Sequence, residues 1–344
     1  YNFVFMADKI NKKYTYKPIK SLKEEEIVRG ILSCDTSILS RAITLLESSR
    51  KNDQDVIYNA LKSIPNPEKA AFKIGITGSP GVGKSTFIEA FGRYVGNKNF
   101  KIAILAIDPS STVTGGSILG DKTRMEDLIN LPNVFIRPTP SKGELGGVAN
   151  KSYETILLCE KAGFDFIIVE TVGVGQSETH VKALVDFFLL LVLPGAGDEL
   201  QGIKRGIMEL ADGLLITKAD GENIKKAKVA KSNYQNALHL FPSSKNNWTP
   251  PVLTCSSLEN RGIDKVFEMI NSFETHNIEN GWLQKNRQKQ RFFWFKEKLD
   301  SLIKADFYKN NQIHNQIKSL NEDIESGKID PFNAAKQLFS GNDS

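Results

Sequence analysis

The sequence predicts an α/β protein: a mostly parallel central sheet covered by helices, flanked by a helical N-terminal arm and a helical C-terminal extension. Three observations carry this. Short apolar runs alternate with amphipathic stretches through the middle of the chain. The runs are apolar on both faces, as strands covered from both sides must be. Both ends of the chain show helical periodicity alone.

The elements follow in order. Across residues 21–64, Leu22, Ile27 and Ile31 share one helical face, then Leu39, Ala42, Ile43 and Leu46, then Ile57, Ala60 and Ile64. Pro65 and Pro67 end this arm, expected to span residues 1–66. Strands are predicted at Phe72–Thr77, Ile102–Ile107, Val134–Arg137, Phe166–Glu170, Phe187–Leu193, Leu214–Thr217 and Val252–Cys255. Helical patterns lie between most of them, at Lys84–Tyr94, Ser152–Lys161, Gln201–Leu210 and Asn223–Leu240. This central domain is expected over 67–277. Past it the strands stop. Phe292, Phe295, Leu299 and Leu302 form one helical stripe, beside Trp294, and Ile313, Ile317, Leu320 and Ile324 form another. Asp330 and Pro331 read as an N-cap and first-turn proline opening a last short helix. The extension is expected over 278–344.

Composition narrows the function classes. The chain has 344 residues, with 45 Lys and Arg against 40 Asp and Glu, a net charge of +5 that does not by itself imply nucleic acid. Cys34, Cys159 and Cys255 are odd in number and far apart, which argues against a disulfide framework or a cysteine zinc site. His180, His239, His276 and His314 form no ligand-spaced pair. The longest apolar run, Phe187–Leu193, is closed by Pro194, far short of the roughly 20 residues a bilayer requires, so no membrane partner is expected. Met6 reads as the natural start, after Tyr1–Phe5, and no secretory leader pattern is visible. A cytoplasmic protein is the expectation.

The strongest motif is Gly78, Ser79, Pro80, Gly81, Val82, Gly83, Lys84, Ser85, followed by Thr86. It fits G-x-x-x-x-G-K-S between a strand and a helix, the pattern of a P-loop nucleotide-binding fold. Its glycines let backbone N–H groups turn toward phosphates, and the helix N-terminus adds a favourable dipole. Lys84 would reach the β- and γ-phosphates, and the Ser85 hydroxyl would ligate Mg²⁺.

Thr217, Lys218, Ala219 and Asp220 follow an apolar strand, as a base-reading loop does. The Asp220 carboxylate can accept from the ring N–H and the exocyclic amino group of guanine, a donor pair adenine lacks. Lys218 would lie along the base, and Thr217 stands where Asn is usual. Cys255, Ser256, Ser257 and Leu258, again directly after a strand, suit a second loop whose backbone N–H would meet the base carbonyl. Glu170 at a strand end begins Glu170-Thr-Val-Gly173, a segment resembling D-x-x-G. Its carboxylate suits Mg²⁺, directly or through water, and the Gly173 N–H suits the γ-phosphate. Asp108 also follows a strand, and Asp121 opens the next helix. Three acids at the sheet edge that bears a P-loop read as a metal-and-water site.

The segments 108–125, 170–178 and 194–204 resemble the MeaB/ArgK family of GTPases associated with methylmalonyl-CoA mutase, over roughly residues 20–340. The resemblance implies binding of GTP and GDP and hydrolysis of GTP. It places Ser85, Asp108, Asp121 and Glu170 at the magnesium positions, Lys84 as the P-loop lysine and Asp220 as the guanine reader. Lys204 matches a lysine tied to partner-stimulated hydrolysis, in a third switch segment. Members are homodimers with helical extensions that contribute to association, and the implied partner is a methylmalonyl-CoA mutase-type cobalamin enzyme. The implied function is a chaperone whose GTP cycle gates loading or protection of adenosylcobalamin. Two rivals remain: a metallochaperone GTPase for another metalloenzyme, which would want a His-rich or Cys/His tract that the sequence lacks, and a P-loop kinase, which would prefer ATP.

Overall fold

The computed structural model describes residues 22–107, 126–139, 145–171, 178–195, 205–242 and 245–340. Two compact units divide at Pro65 and Asn66. In the first, α1 (Glu24–Leu32), α2 (Thr36–Glu47) and α3 (Lys51–Ser63) pack around Ile27, Ile31, Leu39, Ile43, Leu46 and Ile57, the residues the helical periodicity singled out. Asp35 caps α2: its Oδ1 accepts from the N–H groups of Ser37 and Ile38 at 2.9 and 3.1 Å.

The second unit is built on seven parallel strands in the order β3-β2-β4-β1-β5-β6-β7. In chain order these are β1 (Phe72–Gly78), β2 (Ile102–Ile107), β3 (Val134–Thr139), β4 (Phe166–Thr171), β5 (Phe187–Val192), β6 (Gly213–Ile216) and β7 (Val252–Thr254). Among the described residues, the helices between them are α4 (Lys84–Gly96), α5 (Glu126–Ile129), α6 (Leu145–Lys161), α7 (Glu178–Lys182), α8 (Arg205–Leu210) and α9 (Asn223–Leu238). Every residue of β1, β4, β5 and β6 is buried, which is why β5 and β6 carry no polar side chain and β1 and β4 only a few. Alternation is still visible along β5. Leu189 and Leu191 join a core with Phe87, Phe91, Ile270 and Phe273, while Leu190 and Val192 face Met208, Ala227 and Tyr234. β1 lies at the centre, with β4 on one side and β5 on the other. The chain leaves β1 for one edge and returns from β4 toward the opposite edge. The crevice at the strands' C-terminal ends beside β1 is where such sheets bind ligands.

After β7 the chain is helical: α10 (Ile263–Glu279), α11 (Trp282–Lys309), α12 (Asn311–Glu325) and α13 (Pro331–Ser340). Asp330 caps α13 as expected, accepting at Oδ1 from Phe332 and Asn333 at 3.0 and 3.1 Å. The stripe on α11 does not pack inward: Phe292, Phe295, Leu299 and Leu302 are 58, 60, 43 and 56% exposed. A different face is buried. Trp294 Nε1 donates to the Ala183 carbonyl at 2.9 Å, and Gln290 Nε2 to that of Val185 at 2.7 Å. The Arg287 guanidinium grips the fully buried Asp186 at 2.9 and 2.6 Å. Asp186 also accepts from the Lys73 N–H at 2.9 Å, so one carboxylate ties α11 to the start of β1. No described helix is long and apolar enough to cross a membrane.

Candidate functional site

The loop between β1 and α4 stands at the centre of the sheet's C-terminal edge. Gly78 is required there by close approach, because a Cβ at this position would lie 2.6 Å from the Leu191 carbonyl oxygen of β5. Gly83 is the N-cap of α4 at φ 95°, a left-handed conformation open to glycine, so the first-turn N–H groups of α4 face the loop. Gly81 is exposed and Val82 is buried, which pins the loop at one point and leaves its crest open. Lys84 curls over its own loop, its Nζ donating to the carbonyls of Gly78 and Ser79 at 2.8 and 3.3 Å. Ser79 and Pro80 on the loop and Thr86 in the first turn of α4 are exposed.

β4 pairs with β1 so that Glu170 stands opposite Ile76, two residues before β1 ends at Gly78. Glu170 is 9% exposed, and Ser85 Oγ donates to its Oε1 at 3.3 Å. An alcohol and a carboxylate brought together beside a phosphate loop are the hard oxygen donors Mg²⁺ takes, so these residues fit that ion. Asp108, Asp121, Gly173 and Lys204 lie outside the described residues.

The two loops expected to read the base follow the ends of β6 and β7. Thr217 is 2% exposed, and its hydroxyl faces the phosphate loop, donating to the Val82 carbonyl at 2.7 Å and lying 3.3 Å from that of Val192. This latch across 135 residues was not visible in the sequence, because the pairing depends on β1, β5 and β6 being neighbours. Lys218 adopts φ 51°, and its Cε passes 3.8 Å from where a Cβ on Gly83 would lie, so its stem runs beside the phosphate loop. Ser256 is fully buried, and its Oγ donates to Asp220 Oδ2 at 2.6 Å, holding one carboxylate oxygen. The Ser256 N–H is committed to the Arg261 carbonyl at 3.0 Å. Leu258 is 80% exposed at the tip of that loop. Burial pushes the Cys255 thiol up to about 12, with Asp220 adding to the rise and a Ser257 hydrogen bond opposing it. The thiol is therefore a small apolar filler rather than a nucleophile.

Phosphate loop, carboxylate and base-side loops thus share one edge of one sheet. The family model for methylmalonyl-CoA mutase-associated GTPase MeaB matches residues 39–312, most of the chain. The chain belongs to the MeaB family. Among its relatives is the GTPase ArgK of Escherichia coli, 42% identical over 313 residues, covering 91% of this chain and 95% of that one. The mitochondrial methylmalonic aciduria type A homolog of Mus musculus is 38% identical over 325 residues, covering 92% of this chain and 78% of the relative. A crystal structure described as a LAO/AO transport system kinase superposes with a TM-score of 0.73 at 34% identity, covering 95% of this chain and all of that one. This MeaB-family member is a GTPase with a P-loop fold, which binds GTP and GDP and hydrolyses GTP.

Proposed function

We propose that this GTPase serves as a chaperone for a methylmalonyl-CoA mutase-type cobalamin enzyme, its GTP cycle gating loading or protection of adenosylcobalamin. The observation that supports the proposal is that, among the described residues, Lys84, Ser85 and Asp220 follow strands and Glu170 stands near the end of one, all at one sheet edge, within a chain that matches the mutase-associated family from residue 39 to 312.

In this reading Gly78–Thr86 wraps the phosphates, and the Lys84 ammonium exchanges its loop carbonyls for β- and γ-phosphate oxygens. Ser85 and Glu170, with Asp108 and Asp121, hold Mg²⁺, which when bound neutralises phosphate charge. The Gly173 N–H meets the γ-phosphate. Asp220 reads guanine with its carboxylate steadied by Ser256, and Lys218 covers the base. Because the Ser256 N–H is already paired, contact to the base carbonyl falls to the backbone of Ser257 or Leu258. Thr217 ties this loop to the phosphate loop. Lys204, in the charged stretch of sequence that follows β5, couples the mutase to hydrolysis. The exposed stripe Phe292, Phe295, Leu299 and Leu302 is the contact of a homodimer, and the protein works in the cytoplasm.

The test is co-purification with a methylmalonyl-CoA mutase and a pair of hydrolysis rates, with and without it. We expect acceleration by the mutase in the wild type and a reduced acceleration in Lys204→Ala, with basal GTP binding retained. A rate indifferent to the mutase refutes the chaperone reading. Equal fold-stimulation in Lys204→Ala removes that lysine from the coupling. Light scattering of the full chain should give a dimer, and truncation after Gly281 a smaller species; a monomeric full chain refutes the dimer.

A further inference from the structure

The two base-side loops are stapled together by a residue outside every nucleotide motif. Arg261 closes the second loop as the partner of Ser256: the Ser256 N–H donates to the Arg261 carbonyl and the Arg261 N–H to the Ser256 carbonyl, both at 3.0 Å. From this fixed backbone its guanidinium reaches across to the first loop, where Nη2 donates to the Ala219 carbonyl at 2.8 Å. The same group pairs with Glu259 at 2.7 Å, which orients the guanidinium. The Ala219 N–H is taken by the Cys255 carbonyl at 2.9 Å. Both backbone polar groups of Ala219 are therefore held by the second loop.

The Ala219 carbonyl belongs to the peptide plane that carries Asp220. Fixing that oxygen fixes the rotation of the plane, and with it where the Asp220 side chain starts. The restraint matters because the preceding residue is strained: Lys218 sits at φ 51°, a left-handed conformation that disfavours a residue with a Cβ. Such a conformation persists only where its surroundings over-determine it. Ser256 Oγ restrains the far end of Asp220 by its bond to Oδ2, and Arg261 restrains the near end. A lysine at 261 would offer a point charge on a flexible stem, in place of the planar guanidinium whose Nη2 meets both the Ala219 carbonyl and the Glu259 carboxylate.

We propose that Arg261 is a positioning residue for base recognition, setting the orientation of the Asp220 carboxylate and so the margin by which guanine is preferred. The proposal rests on Asp220 being the guanine reader. Its signature is selective. A misplaced carboxylate loses the bond to the exocyclic amino group, which GDP has and IDP lacks. Contacts to ribose and phosphates are untouched.

The experiment measures equilibrium binding and release of ribose-labelled GDP and IDP by the full chain, for wild type, Arg261→Met, Arg261→Lys, Glu259→Gln and Asp220→Asn. Arg261→Met should weaken GDP by about fivefold, the worth of one net hydrogen bond, mainly through faster release. IDP should change by less than about twofold, so the GDP:IDP ratio falls. Arg261→Lys should recover part of the ratio, and Glu259→Gln should lower it slightly, providing a second reading should the methionine variant fold poorly. A merely structural role would lower the melting temperature and leave the ratio unmoved. A wild-type ratio in Arg261→Met, alongside its loss in Asp220→Asn, overturns the assignment of Arg261 alone. A wild-type protein that does not distinguish GDP from IDP overturns the Asp220 reading and this proposal with it.

Discussion

Replacing Thr217 with valine isolates the latch between the base-side loop and the phosphate loop. Valine keeps the branched shape and removes only the hydroxyl, at a site 2% exposed, where no water replaces it readily. The hydrogen bond lost is short, 2.7 Å to the Val82 carbonyl. A neutral hydrogen bond contributes about 0.5–1.5 kcal/mol net, and stranding a buried partner raises the loss to about 1–3 kcal/mol. With about 2 kcal/mol as the central value, a unit of this size should melt roughly 4–8 °C lower. Part of the loss should appear in nucleotide affinity, because the carbonyl released belongs to the loop that encloses the phosphates. The ceiling is about 30-fold, reached if the whole 2 kcal/mol is realised only in the bound state. The assay pairs a thermal melt with GDP titration for wild type, Thr217→Val and Thr217→Ser. Serine keeps the donor and should lie near the wild type in both. A valine variant that melts and binds like the wild type, or a serine variant no better than valine, refutes the latch.

Lys84→Ala should abolish GTP hydrolysis and strongly weaken nucleotide binding, because it is the one cationic side chain in the 78–86 loop that offsets the phosphate charge; wild-type turnover in a single-turnover assay would remove Lys84 from the site. Glu170→Gln should keep nucleotide and lose Mg²⁺-dependent turnover, since the amide fits but carries no charge; an unchanged Mg²⁺ titration of the rate contradicts the assignment. Arg287→Met strips the bidentate partner from the fully buried Asp186 and should cost about 3–5 kcal/mol, read by denaturant unfolding, with Asp186→Asn in the same chain restoring a large part. Cys255, its thiol pushed up to about 12 by burial, should resist alkylation in the native protein at pH 9, while half-buried Cys34 reacts first. A thiol pKa raised by folding means the native state holds its proton more tightly. The stability this gives is full below the ordinary thiol range and falls as pH rises toward 12.

What the sequence disclosed and what it withheld divide along physical lines. The strands were legible because β1, β4, β5 and β6 are buried on both faces, leaving runs such as Phe187–Val192 with no polar interruption. The phosphate loop was legible because its chemistry demands particular residue types, above all Gly78, where a side chain would strike the Leu191 carbonyl. The docking face of α11 was not legible. Hydropathy points to Phe292, Phe295, Leu299 and Leu302, yet the helix docks through Arg287, Gln290 and Trp294, whose polar ends meet the Asp186 carboxylate and the carbonyls of Val185 and Ala183. Apolar periodicity locates a helix, whereas hydrogen-bond acceptors exposed at strand starts decide which way it turns. Thr217 shows the same limit at the site. Judged by residue type, threonine in place of asparagine looks like a weakened base reader. In the fold its hydroxyl points away from the base side and joins the loop after β6 to the loop after β1, a contact that follows from strand order rather than from either motif. Movement of Val82 therefore reaches the residues flanking Asp220 through the buried Thr217 hydroxyl, and a residue without a donor at position 217 loosens the two loops from each other while leaving Lys84, Lys218 and Asp220 in the sequence.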